Sequence, residues 1–260
     1  MSVTYTLDRD VALITLDRPD VFNSIDQTIT DGVIDGIDRA GSEARAVVLT
    51  GAGKAFCAGA DLADLRREYA EAGGPDLLSV ITNRFNPLVE ALVASAVPTV
   101  AAVNGAAAGA GMGLALACDV RIMSTRAFLM SAFVNVGLIP DSGSSWFLPA
   151  MVGVSRAREI AMSGRRVAAE ESHMLGLASS SSDPETLIDD AMRTARGFAD
   201  GPTVASRSTR RILHAAAASS LQAIRDEEAR VQGELGALPT HEEGMAAFAE
   251  KRSPDFRSLP

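Results

Sequence analysis

Thr99-Val100-Ala101-Ala102-Val103 runs without a break into Asn104-Gly105-Ala106-Ala107-Ala108-Gly109-Ala110-Gly111-Met112-Gly113. The first five residues, entered through Pro98, read as a buried strand. The stretch after them carries so little side chain that a ligand can approach the bare main chain. The same order of events occurs upstream, where Ala46–Thr50 leads through Gly51-Ala52-Gly53 to Ala55-Phe56-Cys57-Ala58-Gly59-Ala60-Asp61-Leu62. Two such loops can aim backbone N–H groups at one anion, and converging donors are what a thioester carbonyl needs as it becomes an enolate.

Outward from these strands, Val3–Leu7 and Val11–Leu16 flank Asp8-Arg9-Asp10 as a hairpin. Ile25, Ile29, Val33, Ile34 and Ile37 share one helical face, with Asp26 near the helix start and Gly41 just past its end. Leu77, Leu78, Ile81, Phe85, Leu88 and Leu92 mark a second helix that stops before Pro98. A short buried helix over Leu114–Ala117 and a strand over Val120–Met123 follow. Strand, loop, helix and strand in repetition predict crossover connections, a largely parallel sheet and ligand chemistry at strand ends. Beyond Asp141 the pattern turns helical, over about 144–151, 155–163, 168–175, 184–199, 204–217, 221–235 and 241–251. Ser179-Ser180-Ser181-Ser182-Asp183-Pro184 reads as a loop between two of these. The expectation is an α/β core with a C-terminal helical region and no repeat of solenoid period.

Composition narrows the function classes. A chain of 260 residues, 47% apolar and 22% charged, is globular and long enough for one large domain or a domain with a small appendage. A net charge of −9 argues against nucleic acid and anionic membrane as main partners, since both select basic faces. The two cysteines, Cys57 and Cys118, have neither disulfide-framework nor metal-site spacing. Met1-Ser2-Val3-Thr4-Tyr5 lacks the form of a signal peptide, and no run of about 18 apolar residues offers a membrane span. The expected setting is the cytoplasm, a reducing compartment.

The candidate for proton transfer is Asp141, in Ile139-Pro140-Asp141-Ser142-Gly143. Its rival role is a helix N-cap, with Ser144 three residues on. The apolar run Val136-Gly137-Leu138-Ile139-Pro140 favours chemistry, because apolar surroundings raise a carboxyl group's basicity toward working pH. Asp61 reads as a cap at the start of a helix, Cys57 as a small buried residue without a base, Trp146 as core. His173, His214 and His241 fall on helices in surface or packing roles. Nucleotide-binding readings of the glycine loops fail on spacing, since Leu114 stands where the third glycine of a dinucleotide motif belongs.

Leu16-Asp17-Arg18-Pro19 with Phe22-Asn23-Ser24, then Ala55–Leu62, Asn104–Leu114 and Phe248–Phe256, occur in the order seen in the crotonase, or enoyl-CoA hydratase/isomerase, superfamily. The chain resembles that family over nearly its whole length. The resemblance implies an α/β fold built as a spiral of ββα units with a C-terminal helical region. It divides the chain into an acyl-CoA-binding core over 1–200 and a helical trimerisation region over 201–260, and implies a homotrimer or hexamer. It places the oxyanion-hole amides on Ala60 and Ala110, the latter usually glycine in the family. Substrate and CoA contacts fall on Arg18, Val21 and Phe22, on Ala58, Ala60, Asp61 and Leu62, on Phe133, and on Phe248 and Lys251, with Arg18 and Lys251 toward the CoA phosphates and Lys251 reaching a neighbouring subunit's site.

The departures are as telling. Hydratases of the family carry glutamates where this chain has Gly113 and Phe133, so hydration would need a second carboxylate, with Asp64 or Glu68 the nearby acids. Leu138-Ile139-Pro140-Asp141 resembles the isomerase branch, above all the ring-epoxide isomerase of phenylacetyl-CoA breakdown. The leading expectation is an acyl-CoA isomerase converting 3-enoyl-CoA to 2-enoyl-CoA with Asp141 as its one acid/base. It needs no cofactor, CoA being part of the substrate. The alternatives are a hydratase, the ring-epoxide isomerase, and a CoA-thioester-binding subunit without turnover in which Asp141 is only a cap.

Overall fold

In a computed structural model, residues 2–61, 76–216 and 219–259 are described. The N-terminal hairpin, β1 (Val3–Asp8) and β2 (Val11–Leu16), is antiparallel in the register Val3↔Leu16. Helix α1 (Gln27–Glu43) starts at Asp26, whose carboxylate accepts the Ile29 amide, and runs through Gly41 rather than ending there. Next come β3 (Ala46–Gly51) and β4 (Ala55–Cys57), then α2 (Leu77–Val80), a π-helical turn (Ile81–Phe85) and α3 (Asn86–Ala94). The expected single helix is thus interrupted: the Asn86 amide reaches back to the Ile81 carbonyl just before Pro87, which has no amide to give. Leu78, predicted for the apolar face, is exposed.

Two more strand pairs follow, β5 (Thr99–Val103) with β6 (Ala106–Ala108) and, after α4 (Ala110–Ala117), β7 (Val120–Ser124) with β8 (Phe128–Met130). Beyond lie α5 (Ser144–Ser163), β9 (Arg166–Ala168), α6 (Ala169–Met174), β10 (Ser180–Ser182), α7 (Leu187–Ala199), α8 (Thr203–Ala216), α9 (Leu221–Gly236) and α10 (Pro239–Glu250). Helix α5 holds a non-helical Gly153 where the two predicted helices were separated. The serine run expected as a loop is instead β10, parallel to β7 through Ser180↔Ile122. Serine has weak strand propensity, and its pairing supplies what the propensity lacks.

Among the described residues the strands form two sheets. One has the order β1-β2-β3-β5-β7-β10, parallel except for β1 on β2; the other has the order β4-β6-β8-β9. Three turns of the chain, β3–β4, β5–β6 and β7–β8, each lay a longer strand in the first sheet and a three-residue strand in the second, which is the repeating unit of the spiral. Strands β3 and β5 are buried throughout because both faces are covered. Val47, Leu49, Ala101 and Val103 point into the main core, while Val48, Val100 and Ala102 pack on the Leu187, Ala191, Met192, Ala195 stripe of α7. Among the described residues no helix is long and apolar enough to cross a membrane.

Arg121 on β7 is buried and holds the end of α4. Its guanidinium donates to the Cys118 carbonyl at 2.6 Å, to Leu116 at 3.5 Å and to Leu177 at 2.5 Å. These are carbonyls that a helix end and a loop leave without amide partners. Arg121→Met is expected to lower unfolding stability in chemical denaturation by at least about 2 kcal/mol, since buried acceptors would be orphaned. A loss under about 0.5 kcal/mol, the range of an indifferent surface change, would count against this role.

Candidate active site

The two glycine loops meet. Parallel pairing of β4 with β6, Ala55↔Ala106 and Cys57↔Ala107, brings residues 58–60 beside 108–110. Gly59 has φ 89°, and a Cβ there would lie 2.7 Å from the Ala108 oxygen and 3.1 Å from the Ala110 nitrogen, so the contact requires glycine. The outer edge of the first loop is tied to 22–25, with the Ala58 amide donating to Phe22 O at 3.0 Å and the Ile25 amide to Gly59 O at 2.7 Å. The Ala60 amide has no acceptor among the described residues. Ala110 is the first residue of α4, so no carbonyl within the helix can take its amide. Its φ is not positive, and a methyl group is accommodated where the resembling family usually has glycine.

Ala60 and Ala110 line a cavity of about 380 Å³ with Ala58, Gly109 and Phe133. One wall is Leu77, Val80, Ile81 and Phe85 across the π turn, the other Val136, Leu138, Ile139 and Pro140. Asp141 is the one titratable side chain lining it among the described residues. Burial pushes the Asp141 carboxyl above the usual carboxylate range, against the opposing hydrogen bond that Ser142 Oγ donates to Oδ1 at 2.7 Å. The N-cap of α5 is Gly143, and no side chain caps that helix. The cap expected as the rival role for Asp141 is therefore not made; only its backbone carbonyl takes part, accepting the Ser144 amide at 2.8 Å.

The structure places the other expected contact residues around and away from this cavity. Arg18 is engaged within its own chain. Its guanidinium pairs with Asp26 at 3.2 Å and Asp61 at 3.5 Å and donates to Ser24 O at 2.8 Å, so it is a strut across the loop. Asp61 accepts from Ser24 Oγ at 3.2 Å as the other end of that strut. Val21 and Phe22 stand at the surface, Phe22 55% exposed in a left-handed turn, and neither lines the cavity. Phe248, 84% exposed, and Lys251, at the left-handed end of α10, also lie off it. Leu62, Asp64 and Glu68, and the helix Asp61 was expected to start, fall outside the described residues. Burial pushes the Cys57 thiol up to about 12, which suits the inert role expected of it. Trp146, expected in the core, is 39% exposed, its ring 4.6 Å from that of His214 on α8. The cavity wall from Leu77 to Phe85 reads as core in the sequence, because an acyl-binding face and a core face have the same apolar spacing.

The chain is similar to known proteins over nearly its whole length. Residues 6–259 match the family model described as enoyl-CoA hydratase/isomerase. A Rhodobacter capsulatus protein named "Probable enoyl-CoA hydratase" is 41% identical, over 98% of this chain and 97% of its own. The 1,2-epoxyphenylacetyl-CoA isomerase of Escherichia coli is 36% identical over 96% of both. A crystal structure of an enoyl-CoA hydratase/isomerase-type protein from Mycobacterium abscessus superimposes with a TM-score of 0.92 at 36% identity, covering 98% of each chain.

The raised pKa of Asp141 has a sign for stability. The native state holds this proton more tightly than the unfolded chain, so the contribution is complete below the unfolded pKa and is lost as pH rises through the folded one. Asp141→Asn, neutral at every pH, is expected to melt above wild type at pH 7, with the gap closing as pH is lowered through the Asp141 titration. A variant that melts lower at pH 7 would contradict the burial account.

Proposed function

The chain belongs to the enoyl-CoA hydratase/isomerase family, and on that footing we propose that it is an acyl-CoA isomerase converting 3-enoyl-CoA to 2-enoyl-CoA. The carrying observation is that, among the described residues, one carboxyl group lies on an otherwise apolar cavity shared with two amides that lack acceptors. Asp141 takes the proton from the α-carbon, and the C–H electrons move into the thioester, whose oxygen becomes an enolate between the Ala60 and Ala110 amides. Asp141 then returns the proton at the γ-carbon. The carbonyl re-forms, the double bond lies between carbons 2 and 3, and the aspartate is a carboxylate again. Each amide donor is worth roughly 2.7–4 kcal/mol in the transition state, on the scale of oxyanion donors removed elsewhere. No metal or redox group enters the scheme, because amides hold the charge and one acid moves the proton.

Gly113 and Phe133 support isomerisation over hydration. A Cβ at Gly113 would lie 2.4 Å from Ser142 O and 2.8 Å from Ser142 Cβ, so the acid-bearing turn occupies the room a longer side chain would need. Gly113→Glu would therefore displace the Asp141 turn before it could supply a carboxylate for hydration. Phe133, buried on the cavity wall, keeps an attacking water out of an apolar site. A ring-epoxide isomerase with the same aspartate is the second reading, favoured by Leu138-Ile139-Pro140-Asp141 and by the 36% identity to the Escherichia coli enzyme of that name. The proposal includes a cytoplasmic homotrimer or hexamer, in keeping with the family.

Supplied with 3-enoyl-CoA, the wild type is expected to produce the conjugated thioester and to hydrate crotonyl-CoA poorly or not at all. Asp141→Asn should lower the turnover at least about a hundredfold. Brisk hydration by the wild type, or full activity in the variant, would sink the assignment; faster turnover of the ring epoxide would move it to the second reading. With Arg18 paired, Lys251 is left as the expected phosphate contact. Lys251→Asn, which suits the left-handed φ of 53°, should raise KM for acyl-CoA roughly fivefold or less and flatten its salt dependence, with kcat unchanged. Equal KM values across a salt series would show Lys251 to be an ordinary solvated charge.

A further inference from the structure

Ser142 stands directly after the acid, 2% exposed, with φ 51° in the left-handed region that non-glycine residues seldom occupy. Three contacts hold it there. The Ser144 amide donates to Asp141 O at 2.8 Å, Ser145 Oγ donates to Pro140 O at 2.7 Å, and Gly113 on α4 lets the Ser142 backbone press against that helix. In this position the Ser142 hydroxyl donates to Asp141 Oδ1 at 2.7 Å, while Oδ2 has no hydrogen-bond partner among the described residues.

We propose that Ser142 is a positioning residue: its hydroxyl fixes the Asp141 carboxyl group through Oδ1, so that Oδ2 alone carries the transferred proton between the α- and γ-carbons. This rests on the reading of Asp141 as the acid/base. A carboxyl free to rotate about its Cβ–Cγ bond would present either oxygen at either carbon, and a one-base proton transfer loses rate when its donor atom is not held near both. The small side chain at 113 belongs to the same device, because the Ser142 backbone takes the space beside it. No second titratable or charged side chain lines the cavity among the described residues, so the serine is the one polar neighbour acting on the carboxylate.

The test uses Ser142→Gly and Ser142→Ala beside Asp141→Asn in the full chain. Glycine suits a positive φ and lacks the hydroxyl, so Ser142→Gly removes the hydrogen bond without adding strain. Both serine variants are expected to lose about tenfold in kcat with KM within about twofold of wild type. Their acidic limb of the pH–rate profile should move up by about one pH unit, since a donor to the charged form is gone. A Ser142→Gly protein with the wild-type kcat and limb, while Asp141→Asn is inactive, overturns the role of Ser142 and leaves Asp141 standing. A slower Ser142→Gly whose limb does not move makes the serine merely structural and also overturns it. Undiminished turnover in Asp141→Asn overturns both.

Discussion

The parallel pairing of β4 with β6 brings two main-chain segments close enough that Gly59 touches the Ala108 carbonyl and the Ala110 amide. Large side chains would forbid the approach, which is why β6 and the two loops at the contact, Ala58-Gly59-Ala60 and Gly109-Ala110-Gly111, are made of alanine and glycine. The pairing in turn depends on the larger sheet. Strands β3, β5 and β7 lie side by side because their valines, leucines and alanines are buried on both faces, and each hands its chain to the smaller sheet within a few residues. The amide pair is therefore held by the hydrophobic core of the whole domain, so that in the proposed reaction charge would develop between its members without reorganisation.

The electrostatic design is sparse. The proposed acyl-CoA substrate is multiply charged and the protein is acidic, yet Arg18 is already engaged by Asp26 and Asp61 and helps to shape the loop that carries Ala60. Inside the cavity, among the described residues, a single carboxyl group, made more basic by burial, faces apolar walls on both sides. Low polarity favours the proposed chemistry twice over, raising the proton affinity of Asp141 and strengthening the amide dipoles that would meet an enolate oxygen. It also leaves the reactive intermediate with few waters.

Gly113 links the acid to the amides. Helix α4 begins at Ala110, one of the donors, and one turn later presents Gly113 to the backbone of Ser142 beside Asp141. Donor and acid thus sit on two segments in contact, and Arg121 anchors the far end of the same helix. A shift of α4 moves both halves of the site together.

Much of this is legible in the linear sequence, for physical reasons that differ by residue. Strands such as Thr99–Val103 are doubly buried and so read as unbroken apolar runs; α1 shows its cap at Asp26 and its stripe at Ile29, Val33 and Ile37; the small-residue loops show themselves because only small residues permit close main-chain approach. Asp141 stands out by its apolar neighbours. Other features depend on residues far apart in the chain. The three-residue strands of the second sheet, β10 in its run of serines, the pairing that occupies Arg18, and the contact that fills the space beside Gly113 have no local signature, since their stability comes from partners supplied by the fold. The apolar period of residues 77–92 specifies a helix but not which part faces core and which faces ligand, because water is excluded equally from both. Local composition therefore determined the elements and the chemical candidates, and tertiary packing decided which candidates share a cavity and which are held by one another.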